Sequence, residues 1–213
     1  MNTYQTLQQK MVGLAFILGP LLTIVGSVAY MLGIGRPPLS PYSWVDGIFM
    51  AYGFLIMIPV VLELSRILGQ RAPIFGLICA ILGLGWGISI IPAAARAMQA
   101  GMINAGLNED IMTVLEAMPG VLVLMLPSLL SIIGLLLLGV GLLWQGGIPR
   151  WAAGLLIVGS VVLFVGVISG TEFTEKILMI LSHVAFLIAL APIGLRYLGG
   201  DNRAYELEMA TAR

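Results

Sequence analysis

Six stretches of predominantly apolar residues, each close to the roughly 20 residues that an α-helix needs to cross a hydrocarbon core about 30 Å thick, leave this chain one folding solution. They lie near residues 11–33, 46–68, 73–95, 119–144, 151–170 and 176–197. Inside a bilayer every backbone N–H and C=O has to be satisfied within the protein, so stretches of this length form helices. Only 9% of residues are charged, against about 25% in soluble domains. The expected fold is an all-α polytopic membrane bundle of six transmembrane helices over 1–198, followed by a short tail, 199–213.

An even number of spans puts both termini on one side. The connections at 69–72 and 145–150 are short and join antiparallel neighbours; those at 34–45 and 96–118 are longer and emerge on the opposite face. Basic residues choose the side. Lys10, Arg66, Arg71, Arg150, Arg196, Arg203 and Arg213 fall on the terminal side, against Arg36, Arg96 and Lys176 on the other. Both termini are therefore expected in the cytoplasm of a plasma (inner) membrane, with the first apolar stretch kept as a helix because no small-residue cleavage motif follows it.

Proline stands inside five of the six spans, as Pro20, Pro59, Pro92, Pro127 and Pro192. One reading is broken helices around a mid-membrane site; the other is the ordinary tolerance of membrane helices for proline. Gly83, Gly85 and Gly87, Gly139 and Gly141, and Gly154, Gly159, Gly166 and Gly170 supply small surfaces for close helix packing.

Ionisable groups at membrane depth are costly and mark candidate sites. Glu63 has Arg66 three residues on, an ordinary surface pair. Asp46 has two readings: either Ser40-Pro41 starts the second helix and leaves the carboxylate more than a turn inside it, or Ser43 is the cap and Ser43-x-x-Asp46 approximates a capping box. Arg96 lies on the same side as Asp46 and could pair with it. His183 is the only histidine, about seven residues into the sixth span. It shares a helical stripe with Glu172 and Met179, a layout that suits either a proton path or a hydrogen-bonded structural imidazole under an acidic first turn. Over 108–117, Asn108-Glu109-Asp110 and the apolar residues behind it predict a short amphipathic helix on the outer face, as a lid or as a seal. Met98, Met102, Met112 and Met118 gather near it without histidine or cysteine, which suits apolar filling better than copper.

Several classes lack their residues. No H-E-x-x-H, G-x-S-x-G, P-loop or Cys/His zinc spacing occurs, and Cys79 stands alone, so no metal or cofactor is expected. One histidine without a nucleophile partner makes no catalytic set. The formal net charge of zero excludes attraction of nucleic acid by bulk charge. Gly147-Ile148-Pro149-Arg150-Trp151, followed by Gly154, resembles a turn in uncharacterised bacterial six-helix integral membrane proteins grouped as a domain of unknown function; the likeness is specific over 147–159 and implies architecture but no reaction. Two functions fit. The first is a non-enzymatic accessory module binding membrane lipids, a protein partner or a second copy. The second is a small transporter or receptor-like protein taking a hydrophobic or amphipathic ligand in an outward-facing pocket of Asp46, Arg96, Glu172 and His183.

Overall fold

The chain is all-helical among the residues described in this computed structural model, which are 3–38, 43–106, 119–169 and 172–199. In chain order the helices are α1 (Thr3–Leu32), α2 (Trp44–Gly69), α3 (Pro73–Gly83), α4 (Gly85–Asn104), α5 (Pro119–Gln145), α6 (Arg150–Ile168) and α7 (Glu172–Gly199). With α3 and α4 taken end to end, six spans are long and apolar enough to cross a membrane. Large apolar side chains such as Leu21, Leu55, Ile81, Val158, Leu181 and Ile188 lie exposed on the bundle. Acyl chains are the solvent that suits them.

The spans close into a ring. Each packs on the next, α1 on α2, α2 on α3 and α4, these on α5, α5 on α6, α6 on α7, and α7 returns to α1. That last contact depends on two glycines: a Cβ on Gly194 would stand 2.6 Å from the carbonyl oxygen of Gly13, so the backbones of the first and last helices touch there. Phe16, Leu64, Leu135, Leu138, Leu156, Phe186 and Leu190 fill the interior.

Local chemistry fixes the helix ends that matter for the site. α1 stops in a Schellman turn: Gly33 adopts φ +65°, and the N–H groups of Gly33 and Ile34 donate to the carbonyls of Tyr30 and Ala29 at 3.3 and 3.0 Å. Ser43 then caps α2. Its Oγ accepts from the Val45 and Asp46 N–H groups and donates to the Ile34 carbonyl, while the Asp46 carboxylate accepts from the Ser43 N–H. This is the capping-box alternative for Asp46. At the end holding both termini, Arg71 Nη1 donates to the Gln145 carbonyl and ties the turn before α3 to the turn after α5.

Three boundaries differ from the sequence reading. The third span does not stop at 95 but runs through Asn104, since Pro92 is accommodated inside α4. Its one interruption falls at Leu84, between Gly83 and Gly85 and away from the proline. α1 begins at Thr3 and α7 at Glu172, because polar segments beyond the apolar stretch continue the helix into the interface. All five prolines lie within continuous helices. The amphipathic helix expected over 108–117 lies outside the described residues.

Candidate functional site

The buried polar groups sort into hydroxyls that serve their own helix and a few that do not. Thr23, Ser89, Ser131, Ser160 and Ser182 each donate to a carbonyl three or four residues back, at 2.6 to 3.2 Å. Such bonds use the hydroxyl's one hydrogen locally and leave only its lone pairs as acceptors. Among the described residues, four buried side-chain atoms have no hydrogen-bond partner: Asp46 Oδ2, His183 Nε2, Trp86 Nε1 and Ser65 Oγ. Unmet polar atoms are uncommon in interiors, and each calls for a reason.

Asp46 belongs to a cluster at the end of the bundle away from the termini. Its carboxylate is fully buried and anchored through Oδ1, at 2.9 Å from the Ser43 N–H. Oδ2 faces Arg96 Nη1 across 3.9 Å, close enough to share charge and too long for a hydrogen bond. The Arg96 guanidinium also lies 5.5 Å from the centre of the Tyr30 ring, and Lys176 Nζ lies 4.8 Å from the same ring. A ring face attracts cations, and the attraction grows where water is excluded. Tyr30 is buried. Four helices therefore meet around it: α1 brings Tyr30, α2 Asp46, α4 Arg96 and α7 Lys176.

His183 sits deeper. Because α7 starts at Glu172, the imidazole is eleven residues along the helix, about 16 Å at 1.5 Å per residue, and close to the midpoint of α7. Its Nδ1 is 2.8 Å from Ser27 Oγ on α1, and Ser27 Oγ is also 2.7 Å from the Thr23 carbonyl. Ser27 has one hydrogen. If it goes to the carbonyl, Nδ1–H donates to Oγ and both contacts are hydrogen bonds; if it goes to Nδ1, one contact is lost. The first arrangement is favoured and leaves Nε2 a bare lone pair. The hydrogen-bonded reading of His183 left its partner unnamed, and Ser27, 156 positions away in sequence, stands in that place.

Of the four residues of the expected pocket, Asp46 and Arg96 are brought together. His183 lies further down and faces α1. Glu172 is the first residue of α7, and its side chain lies outside the described residues. Tyr30, Lys176 and Ser27 were missed. A tyrosine one turn from the end of an apolar span reads as an interfacial anchor, and only the packed bundle reveals two cations from distant helices over its ring.

The terminal end carries a different cluster. Arg66 grips Glu63 through Nε and Nη2 at 2.8 and 2.6 Å, and Tyr197 on α7 donates its hydroxyl to the same carboxylate at 2.5 Å. Among the described residues no group of three or more His, Cys, Asp or Glu side chains could hold a metal ion. Comparison of the chain with protein-family models, with curated proteins and with solved structures finds no match, so function rests on the site alone.

Proposed function

We propose that this integral membrane protein is a non-enzymatic binding module whose cluster at Tyr30, Asp46, Arg96 and Lys176 holds the polar head of an amphipathic molecule at the membrane interface. The observation that carries this reading is the convergence of two cations on one buried aromatic ring, beside a carboxylate oxygen without a hydrogen-bond donor. A guanidinium and an ammonium held together favour an anionic head, and the apolar outer faces of the helices suit its chains. The excess of basic residues on the terminal side supports both termini in the cytoplasm, which puts the cluster on the outer face of the plasma (inner) membrane.

Catalysis fits less well. The Ser27 hydroxyl is buried and turned into its own helix, and among the described residues no acid bonds His183 Nε2 to orient the ring, so the pair lacks the orienting group of a nucleophilic set. A small transporter or receptor is the second reading, favoured by the unmet His183 Nε2 near mid-membrane. The two separate by experiment. Native mass spectrometry of protein extracted with its lipids should show a retained anionic amphiphile that is lost from an Arg96→Gln/Lys176→Gln variant. Retention unchanged in that variant would remove the headgroup reading. Loss of ligand-dependent stabilisation on changing His183 to Ala would favour the transporter.

A further inference from the structure

The imidazole of His183 is held from one side only. Its Nδ1 lies 2.8 Å from Ser27 Oγ, whose own hydrogen goes to the Thr23 carbonyl at 2.7 Å, so Nδ1–H donates and Nε2 keeps a bare lone pair. The side chain is 2% exposed, and Nε2 has no hydrogen-bond partner. A ring fixed through one N–H, with the lone pair of its other nitrogen open, is how imidazole binds a metal ion: the first contact sets tautomer and orientation for the second.

Two buried thioethers belong to the same part of the bundle. Met179 lies four residues before His183 on α7, one turn away on the same stripe, and helical side chains lean toward the N-terminus, which directs the imidazole over the turn carrying Met179. Met50 on α2 is buried against the turn of α1 that holds His183. A Cβ on Gly26 would stand 2.9 Å from Met50 Cγ, and Ser27 is the next residue. Methionine has three rotatable bonds, so its sulfur adapts to what it must meet.

We propose that His183 Nε2 and the thioether sulfurs of Met50 and Met179 bind one Cu(I) ion inside the bundle, at a site separate from the Tyr30 cluster and independent of the headgroup reading. Thioethers are soft donors and select Cu(I) over harder ions. Zn(II) takes its ligands from His, Cys, Asp and Glu, and among the described residues no group of three of these gathers. Any divalent ion also brings a second positive charge to membrane depth, where charge is costly. The methionines Met98 and Met102 of α4 have no histidine in the chain beside them in sequence, whereas Met179 has His183 one turn on.

The test is a titration of the full-length, tag-free protein with Cu(I) under reducing conditions, in competition with the chelator bicinchoninate. One equivalent should bind per chain. Because the sequence has a single histidine, nitrogen NMR of the labelled imidazole reports on His183 alone: binding should move the Nε2 signal and leave Nδ1 protonated. His183→Leu should abolish binding. Met50→Leu and Met179→Leu conserve side-chain volume and disturb packing little, and each should weaken binding about tenfold or more, since losing a ligand costs at least as much as losing a group behind one. Should His183→Leu fail to fold, the two methionine variants carry the test. Failure of the unaltered protein to take Cu(I) from the chelator, or an Nε2 signal that does not move, would overturn the site. Binding that survives His183→Leu would place the ion on other methionines, such as Met98 and Met102, and overturn it as well. Unchanged affinity in either methionine variant would overturn the three-ligand set.

Discussion

Each end of this bundle gathers a carboxylate, an arginine and a tyrosine, and the two ends reach opposite outcomes. At the terminal end a glutamate, an arginine and a tyrosine close on one another: Glu63 takes two hydrogen bonds from Arg66 and one from Tyr197. At the far end an aspartate, an arginine and a tyrosine are also gathered, but Arg96 lies over the ring of Tyr30 and stops 3.9 Å short of Asp46. Sequence spacing accounts for much of the contrast. Glu63 and Arg66 are one turn apart on one helix and meet at little entropic cost, whereas Asp46 and Arg96 come from different helices and meet only where packing allows. The terminal cluster is a finished clasp between α2 and α7. In the far cluster Asp46 is held through Ser43 and faces its arginine without a hydrogen bond.

Removing one member of each cluster should expose that difference, and the largest effect is expected at the far end. Arg96→Met would strand the buried Asp46 charge, and breaking a buried pair from one side costs about 3 kcal/mol or more. Unfolding in mixed micelles should show it, and an Asp46→Leu/Arg96→Met double variant should recover most of the loss, since replacing both partners removes the stranded charge. A single variant as stable as the unaltered protein would mean that Asp46 is adequately served by Ser43 alone.

The next effect belongs to the core below that cluster. Ser27→Ala would leave both ring nitrogens of His183 unmet, at a cost of about 1–2 kcal/mol given the modest worth of interhelical hydrogen bonds in membranes. Ser27→Ala combined with His183→Leu should be milder than Ser27→Ala alone, because no polar group is then left without a partner. Additive losses in the double variant, read from the same unfolding curves, would deny that Ser27 and His183 act as a pair.

These contrasts also mark what could be read from the chain. The six spans follow from apolar length alone, and the Ser43 cap and the Glu63–Arg66 pair from spacings of three residues along one helix. Periodicity carries that information. It carries nothing about Ser27 beside His183, or Lys176 and Arg96 over Tyr30, because those contacts depend on how the ring of helices closes and on each helix's rotation in it. The interruption at Leu84 was hidden for a related reason. Prolines are the obvious breakers, yet here they are absorbed, while the break falls between two glycines against which Val61 and the Pro127 carbonyl are packed.

At the terminal end the effects should be smaller, beginning with the link between helices. Tyr197→Phe removes one donor from a carboxylate that keeps two others, so a loss of about 0.6–1 kcal/mol is expected in the same unfolding assay. A loss as large as that of Arg96→Met would mean that this end, too, depends on a single buried contact, and the contrast between the ends would fail.

The smallest effect should come from Arg66→Gln, although its pair has the better geometry of the two. Glu63 and Arg66 meet at 2.6 Å, but 57% of the Arg66 side chain is exposed, so water and headgroups can replace the guanidinium around the carboxylate. Exposed pairs of this kind contribute about 0.2–1 kcal/mol. Glutamine at 66 can still donate to Glu63, and Tyr197 continues to do so, which puts the expected loss below about 0.5 kcal/mol. Short distance at the terminal end and long distance at the far end would then run opposite to their energetic weight. Burial of the carboxylate, not closeness of its arginine, would decide what each cluster contributes to stability.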